Sequence, residues 1–223
     1  MVTRLLSERQ IKKGAEVIRS GGTVAFRTET LYGLGSDATN AEAVEKVFTA
    51  KGRPNDKPLI VLFASRKKLF SFCECDEASR RVIKRVRGAV TVVLPRPNHI
   101  PKIVCGGGDS IAVRVPACRF TRRFIRACGV PITAPSANTS GQTAPCAWED
   151  VYADLNGRVD AIFCGKRARL GLPSTIVRCE TTPSAHCRVL RLGAVSCEEL
   201  RRRTGLEVVH TPSSPNGEST PLH

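Results

Sequence analysis

Thr23-Val24-Ala25-Phe26-Arg27-Thr28-Glu29-Thr30-Leu31-Tyr32-Gly33-Leu34-Gly35 joins a short apolar run to a polar segment punctuated by glycine. Thr23 to Phe26 reads as a short buried strand, and Arg27 to Gly35 reads as the loop it delivers at its end. What flanks this pair decides the fold. Upstream, Ser7-Glu8-Arg9-Gln10 matches a capping box, and Ile11, Ala15 and Ile18 share one helical face until Gly21-Gly22 ends the helix. Downstream, Asn40 is placed to cap a helix that carries Val44, Val47 and Phe48 and runs into Lys51, with Pro54 as its stop.

The alternation continues along the chain. Leu59 to Phe63 predicts a strand, Ala78 to Arg87 a basic amphipathic helix, and Thr91 to Leu94 a buried strand. After the turn Gly106-Gly107-Gly108-Asp109, Ser110 to Val115 alternates as a strand and carries Arg114 near its C-terminal end. Phe120, Phe124 and Cys128 line a helix closed by Gly129 and Pro131, and the very short strand Pro131 to Thr133 leads into the loop Ala134 to Gly141. Ala161 to Phe163, Ser174 to Val177 and Val189 to Arg191 complete the strands, and Ser196-Cys197-Glu198-Glu199 is a second capping box. Beyond about Glu207, Ser, Pro, Thr and Gly predominate and predict disorder, so the domain is set at residues 1–205 and a tail at 206–223. Strands alternating with helices imply an α/β fold, whose ligands gather beyond strand ends where loops converge.

Lys51-Gly52-Arg53-Pro54-Asn55-Asp56-Lys57 places three cations immediately before the strand at Leu59. Arginine supplies a planar fork and lysine a point charge, a mixture able to grip a polyphosphate; the same residues also read as a solvated basic turn. Thr30, Arg114, Ser136 and Asn138 lie on other strand-end loops, and taken singly each also reads as a turn residue or a surface ion-pair partner.

With 223 residues and 41% hydrophobic content, the chain supports one sizeable core rather than two catalytic domains. Its net charge of +15, from 35 basic against 20 acidic residues, favours anionic partners such as nucleotides or RNA. Eight Phe, two Tyr and one Trp are too few and scattered for a platform that stacks single-stranded bases. Ten cysteines contain no Cys-x-x-Cys and four histidines fall in no ligand pattern, so no protein metal site is expected. No signal peptide precedes the first helix and no apolar run reaches the roughly 20 residues of a membrane span. The expectation is a soluble cytoplasmic protein with reduced thiols and no membrane partner.

In order and spacing, Thr28 to Gly35, Lys51-Gly52-Arg53-Pro54 and Ser136-Ala137-Asn138 closely resemble the YrdC/TsaC family of threonylcarbamoyl-AMP synthases. Ala112 to Pro116 and Ser174-Thr175-Ile176-Val177 extend the likeness, which spans roughly Ser7 to Leu200. The resemblance implies a YrdC-like α/β fold in its short, single-domain form: a twisted mixed sheet with flanking helices and a large basic cavity. It implies condensation of L-threonine, bicarbonate or carbon dioxide, and ATP into threonylcarbamoyl-adenylate and pyrophosphate. The product would serve threonylcarbamoylation of the tRNA adenosine next to the anticodon, by a downstream tRNA threonylcarbamoyltransferase machinery.

By the same resemblance Lys51 and Arg53 are catalytic, and Thr30, Arg114, Ala134 and Ser174 hold threonine. Arg53, Lys57, Ser110, Ser136, Asn138 and Arg191 contact the nucleotide, and Mg²⁺ enters on ATP rather than on protein ligands. The chain departs from the family pattern at Arg27 and Leu192, where prolines are usual, at Arg87-Gly88-Ala89, which replaces a Pro-Gly-Pro turn, and at Ala144, which replaces a nucleotide-contacting serine. The alternative function is a basic module of the same fold that binds double-stranded RNA or tRNA without forming an adenylate. A third reading is a related carbamoyl-transferring domain with another acceptor.

Overall fold

The computed structural model describes residues 2–182 and 184–210; the tail predicted to be disordered lies outside them beyond His210. The chain opens on Arg4–Ser7 (β1), where a helix start was predicted. Ser7 ends a strand and caps nothing; Gln10 Oε1 accepts from the Ser7 N–H at 2.8 Å and its hydroxyl at 3.2 Å, so only the return half of the capping box forms. Ile11–Arg19 (α1) follows and buries Ala15 and Ile18 as expected. Val24–Arg27 (β2) is the predicted buried strand, ending at Arg27, which makes a two-point contact with Glu8 at 2.9 and 3.2 Å.

The segment expected to be loop throughout tightens after Leu31. Tyr32–Gly35 (β3) pairs antiparallel with β2, Arg27 opposite Tyr32 and Val24 opposite Gly35, and all four of its residues are buried. Its glycine marks close packing rather than a turn: a Cβ on Gly35 would lie 2.7 Å from the Phe26 ring. Ala41–Lys51 (α2) starts as the sequence predicts, the Asn40 side chain accepting from the Ala43 N–H at 3.2 Å, and ends on left-handed Gly52.

Ile60–Leu62 (β4), Glu77–Arg85 (α4), Val90–Pro95 (β5), Ser110–Arg114 (β6), Arg119–Cys128 (α5) and Ile132–Thr133 (β7) fall where predicted. So do Ala161–Cys164 (β8), Thr175–Glu180 (β9), His186–Arg191 (β10) and Cys197–Thr204 (α7), the last capped by Ser196 Oγ accepting from the Glu199 N–H at 3.1 Å. Arg66–Phe70 (α3) and Trp148–Leu155 (α6) are additional. Glu207–His210 (β11) corrects the domain limit drawn at 205: it pairs parallel with β10 and buries Val208, so the fold reaches 210.

The strands form two mixed sheets rather than one, ordered β1-β8-β2-β3 and β11-β10-β9-β5-β6-β4-β7. They meet where β3 borders the β7 loop, through isolated bridges Gly33–Ser136 and Asp37–Ile132. Under the smaller sheet α1 and α5 enclose Phe26, Phe120, Phe124 and Phe163, whose rings lie 5.1 to 6.4 Å apart. The larger sheet shares a second apolar cluster with α2 and α4. Polar loops at the meeting edge therefore rest on both sheets, whose apolar clusters each draw residues from the other.

Candidate active site

Arg114 ends β6 almost fully buried, 5% exposed, with its side-chain hydrogen bonds made to loop residues outside β6. Its Nε donates to the Gly88 carbonyl at 2.8 Å, Nη1 to the Thr30 hydroxyl at 3.0 Å, and Nη2 to Glu29 Oε1. A guanidinium has five N–H donors, so these three bonds leave two, the number a carboxylate takes in a bidentate contact. Glu29 also accepts from the Ala117 and Cys118 N–H groups at 3.1 Å each. Burial works to raise the Glu29 pKa, yet the Arg114 charge and these hydrogen bonds hold it below the ordinary carboxylate value.

Thr30 is set by a local turn. Thr28 Oγ1 accepts from the Thr30 and Leu31 N–H groups and donates to the Leu31 carbonyl at 2.7 Å, and the two threonine hydroxyls lie 2.7 Å apart. Gly88 is obligatory in this frame. Its φ is +90°, and a Cβ would sit 2.7 Å from that of Ala117 and 3.0 Å from Glu29 Oε1. Across the sheet the buried Ser174 hydroxyl lies 2.8 Å from that of Thr91, and Arg191 Nη2 donates to the Ser174 carbonyl at 2.9 Å.

Lys51 takes a different form from a solvent-facing phosphate grip. It is 1% exposed, and its ammonium donates to the Ser136 and Asn138 carbonyls, while the Lys51 carbonyl accepts from the Ser140 N–H at 2.8 Å. Burial, then the neighbouring Arg53 charge, lowers its pKa to about 8 against the opposing pull of Asp154. Asn138 Nδ2 donates to the Thr139 and Gln142 carbonyls at 2.8 Å each, and its buried Oδ1 has no partner among the described residues. Half-buried Arg53 donates to the Lys57 carbonyl at 3.3 Å and the Pro58 carbonyl at 3.1 Å, which leaves three of its five N–H groups.

The two groups are joined by charge. Arg191 keeps surface open to solvent, but its guanidinium reaches deep enough that burial, followed by the Arg114 and Arg53 charges, pulls its pKa down. Arg191 thus lies within electrostatic reach of both Arg114 and Arg53, and Glu29, the carboxylate beside Arg114, is already saturated. Such a cluster is an anion site in physical terms.

Of the other predicted residues, half-buried Ala134 adjoins β3 and donates its N–H to the Ile60 carbonyl at 2.7 Å. Lys57 is exposed at the mouth of the basic turn. Ser110 starts β6, about 13 Å along the strand from Arg114. Glu29, Gly88 and Thr91 received no role from the sequence. Glu29 had a signal, a carboxylate between two threonines in a segment already singled out, whereas the other two are recognisable only once the strands are assembled.

The Sua5/YciO/YrdC family model, described as "Telomere recombination", matches residues 16–193. The threonylcarbamoyl-AMP synthase of Pyrococcus abyssi is 37% identical over 211 residues, which cover 94% of this chain and 61% of that protein. The threonylcarbamoyl-AMP synthase of Bacillus subtilis is 38% identical over 199 residues, covering 88% and 57%. The chain thus spans about three fifths of the length of these relatives. The crystal structure of P. abyssi Sua5 complexed with L-threonine superposes with a TM-score of 0.87 at 34% identity, covering 99% of this chain and 67% of that one.

Proposed function

Because the chain belongs to the Sua5/YciO/YrdC family, we propose that it is a threonylcarbamoyl-AMP synthase, joining L-threonine, bicarbonate or carbon dioxide, and ATP with release of pyrophosphate. One observation carries the reading: the buried Arg114 keeps two N–H groups unspent while the carboxylate beside it is already engaged, and Arg191 lies within electrostatic reach of Arg114 and Arg53. In the proposed reaction a threonine carbamate oxygen attacks the α-phosphorus of ATP, forming the mixed anhydride as the bond to pyrophosphate breaks. Two anions approach only if fixed positive charge offsets their repulsion.

Arg114, with two N–H groups unspent, is suited to the threonine carboxylate, beside Thr30, Ala134 and Ser174. Arg53 offers three donors to the phosphates, with Lys57 at the mouth. Lys51 acts as a positioning residue, fixing the carbonyls of Ser136 and Asn138 so that their side chains meet the nucleotide with Arg191. Ser110 would join the nucleotide set only if the nucleotide extends along β6.

Mg²⁺ would be carried by phosphate oxygens and water, since Glu29 is occupied by Arg114 and two backbone N–H groups. The product would pass to the tRNA threonylcarbamoyltransferase machinery in the cytoplasm, a reducing compartment suited to ten free cysteines. Among the described residues no helix is long and apolar enough to cross a membrane. The test is pyrophosphate release from purified protein given ATP, bicarbonate, Mg²⁺ and threonine. Threonine-dependent release is expected, and a rate no higher than that of Arg53→Ala would refute the assignment.

A further inference from the structure

A cavity of about 310 Å³ opens between α3, α4 and α5, beyond the ends of β4 and β6. Its floor is apolar, built from Leu69, Val82, Val86, Val92 and Val113, while Arg66, Arg87, Arg122 and Arg126 stand around it. Among the described residues no carboxylate lines it. Arg122 is engaged by the Pro116 and Ala117 carbonyls, at 3.3 and 3.1 Å. Arg66 and Arg87 have no hydrogen bond or ion pair among the described residues. Half-buried Arg66 and exposed Arg87 both border the cavity, and burial, then the Arg87 charge, holds Arg66 below its ordinary pKa.

Two unpaired guanidinium groups beside an apolar floor offer charge-assisted hydrogen bonds to the head of a bound anion. The floor selects what that anion carries. We propose that this cavity is a second binding site, for a small amphiphilic monoanion whose apolar body lies on the valine floor and whose charged head sits between Arg66 and Arg87. At about 30 Å³ per water-sized unit, the space suits roughly ten non-hydrogen atoms. Gly88 and Arg114 form one wall and are shared with the proposed threonine site, whereas Arg66 and Arg87 belong to this cavity alone. The inference does not rest on the proposed activity, and either can fail alone.

Octanoate, with ten non-hydrogen atoms, is the probe, titrated calorimetrically into the full chain, with octan-1-ol and inorganic phosphate as partial ligands. Saturable one-to-one binding of octanoate is expected, at least tenfold tighter than either partial ligand. Arg66→Glu and Arg87→Glu should each weaken it at least tenfold, Arg66→Lys should retain most of it, and threonine-dependent pyrophosphate release by Arg66→Glu should stay within about twofold of the parent. Amide shifts on titration should centre on residues 64–66, 86–92 and 113–117. No binding up to about 10 mM, octanol binding as tightly as octanoate, indifference to Arg66→Glu, or shifts centred elsewhere would each overturn the site.

Discussion

Glu29→Gln changes one atom type in a frame where every acceptor is used. The amide oxygen can serve either Arg114 and the Ala117 N–H, which share Oε1, or the Cys118 N–H on Oε2, but its NH₂ must then face the remaining donor or donors, and Arg114 keeps an unbalanced buried charge. Breaking a buried pair by removing one partner costs about 3 to 5 kcal/mol, and a denaturant titration should show a loss of that order. The Glu29 pKa is lowered on folding, so its contribution is complete above the unfolded carboxylate value and fades as pH falls through the folded one; the difference from Glu29→Gln should shrink in acid. A loss under about 1 kcal/mol at neutral pH would mean that the pair does not organise the site.

Lys51 differs in that folding disfavours its charged form, while the slope of stability against pH keeps the same sign. Its pKa is lowered to about 8, so its charge is lost as pH rises through that value, while the unfolded lysine stays protonated to its ordinary value. Between those limits the unfolded state binds more protons, and this group's effect on stability becomes more favourable with rising pH. Activity should move the other way, since the charge that fixes the Ser136 and Asn138 carbonyls is leaving. A fall in kcat/KM with midpoint near 8, absent in Lys51→Arg, is the expected profile. Superimposable profiles for the two proteins would remove Lys51 from any pH-dependent role.

At the scale of elements, cap chemistry transfers to prediction directly. Asn40→Ala leaves the Ala43 N–H without its cap and should cost about 1 kcal/mol, whereas the same change at Ser7, which caps no helix, should cost less. Gly88→Ala is harsher: positive φ and a 2.7 Å contact force the segment away from Ala117, moving the carbonyl that orients Arg114. Its threonine KM should rise at least tenfold with a smaller change in the ATP KM, and equal changes in both would show a general loss of packing. The same elements show what the sequence makes legible. Asn40 and Ser196 announced their helices because a cap is local chemistry, and β2, β5 and β6 announced themselves by apolar runs. Tyr32–Gly35 did not, because its glycines serve a close approach to Phe26 that exists only after β2 and β3 pair. β1 and β11 are edge strands: β1 pairs with β8, far later in the chain, and β11 returns to β10 only after α7 has crossed between them. Residues of the site could be named from motif order, but the engagement of Lys51 by two loop carbonyls and of Arg114 by Glu29 needed the assembled fold.

For the molecule as a whole, the arrangement of the sheets separates what stabilises from what reacts. The Thr30 turn hangs from the four-stranded sheet, Arg114, Ser174 and Arg191 from the seven-stranded one, and the edge that joins them is β3 against the β7 loop. β11 lies at the other end of the larger sheet, six strands from β7. Truncation after Leu206 removes its pairing with residues 186–189 of β10 and uncovers the cluster where Val208 is buried, and a buried valine alone contributes about 1.5 to 3 kcal/mol. Arg191, at the far end of β10, lies beyond that pairing and keeps its bond to Ser174. The truncated protein should therefore melt several degrees lower than the full chain, yet hold its threonine KM within about twofold wherever it remains folded. A threonine KM raised tenfold with an unchanged melting temperature would show that the edge strand reaches the site through β10, and that the sheets do not divide stability from chemistry as their order implies.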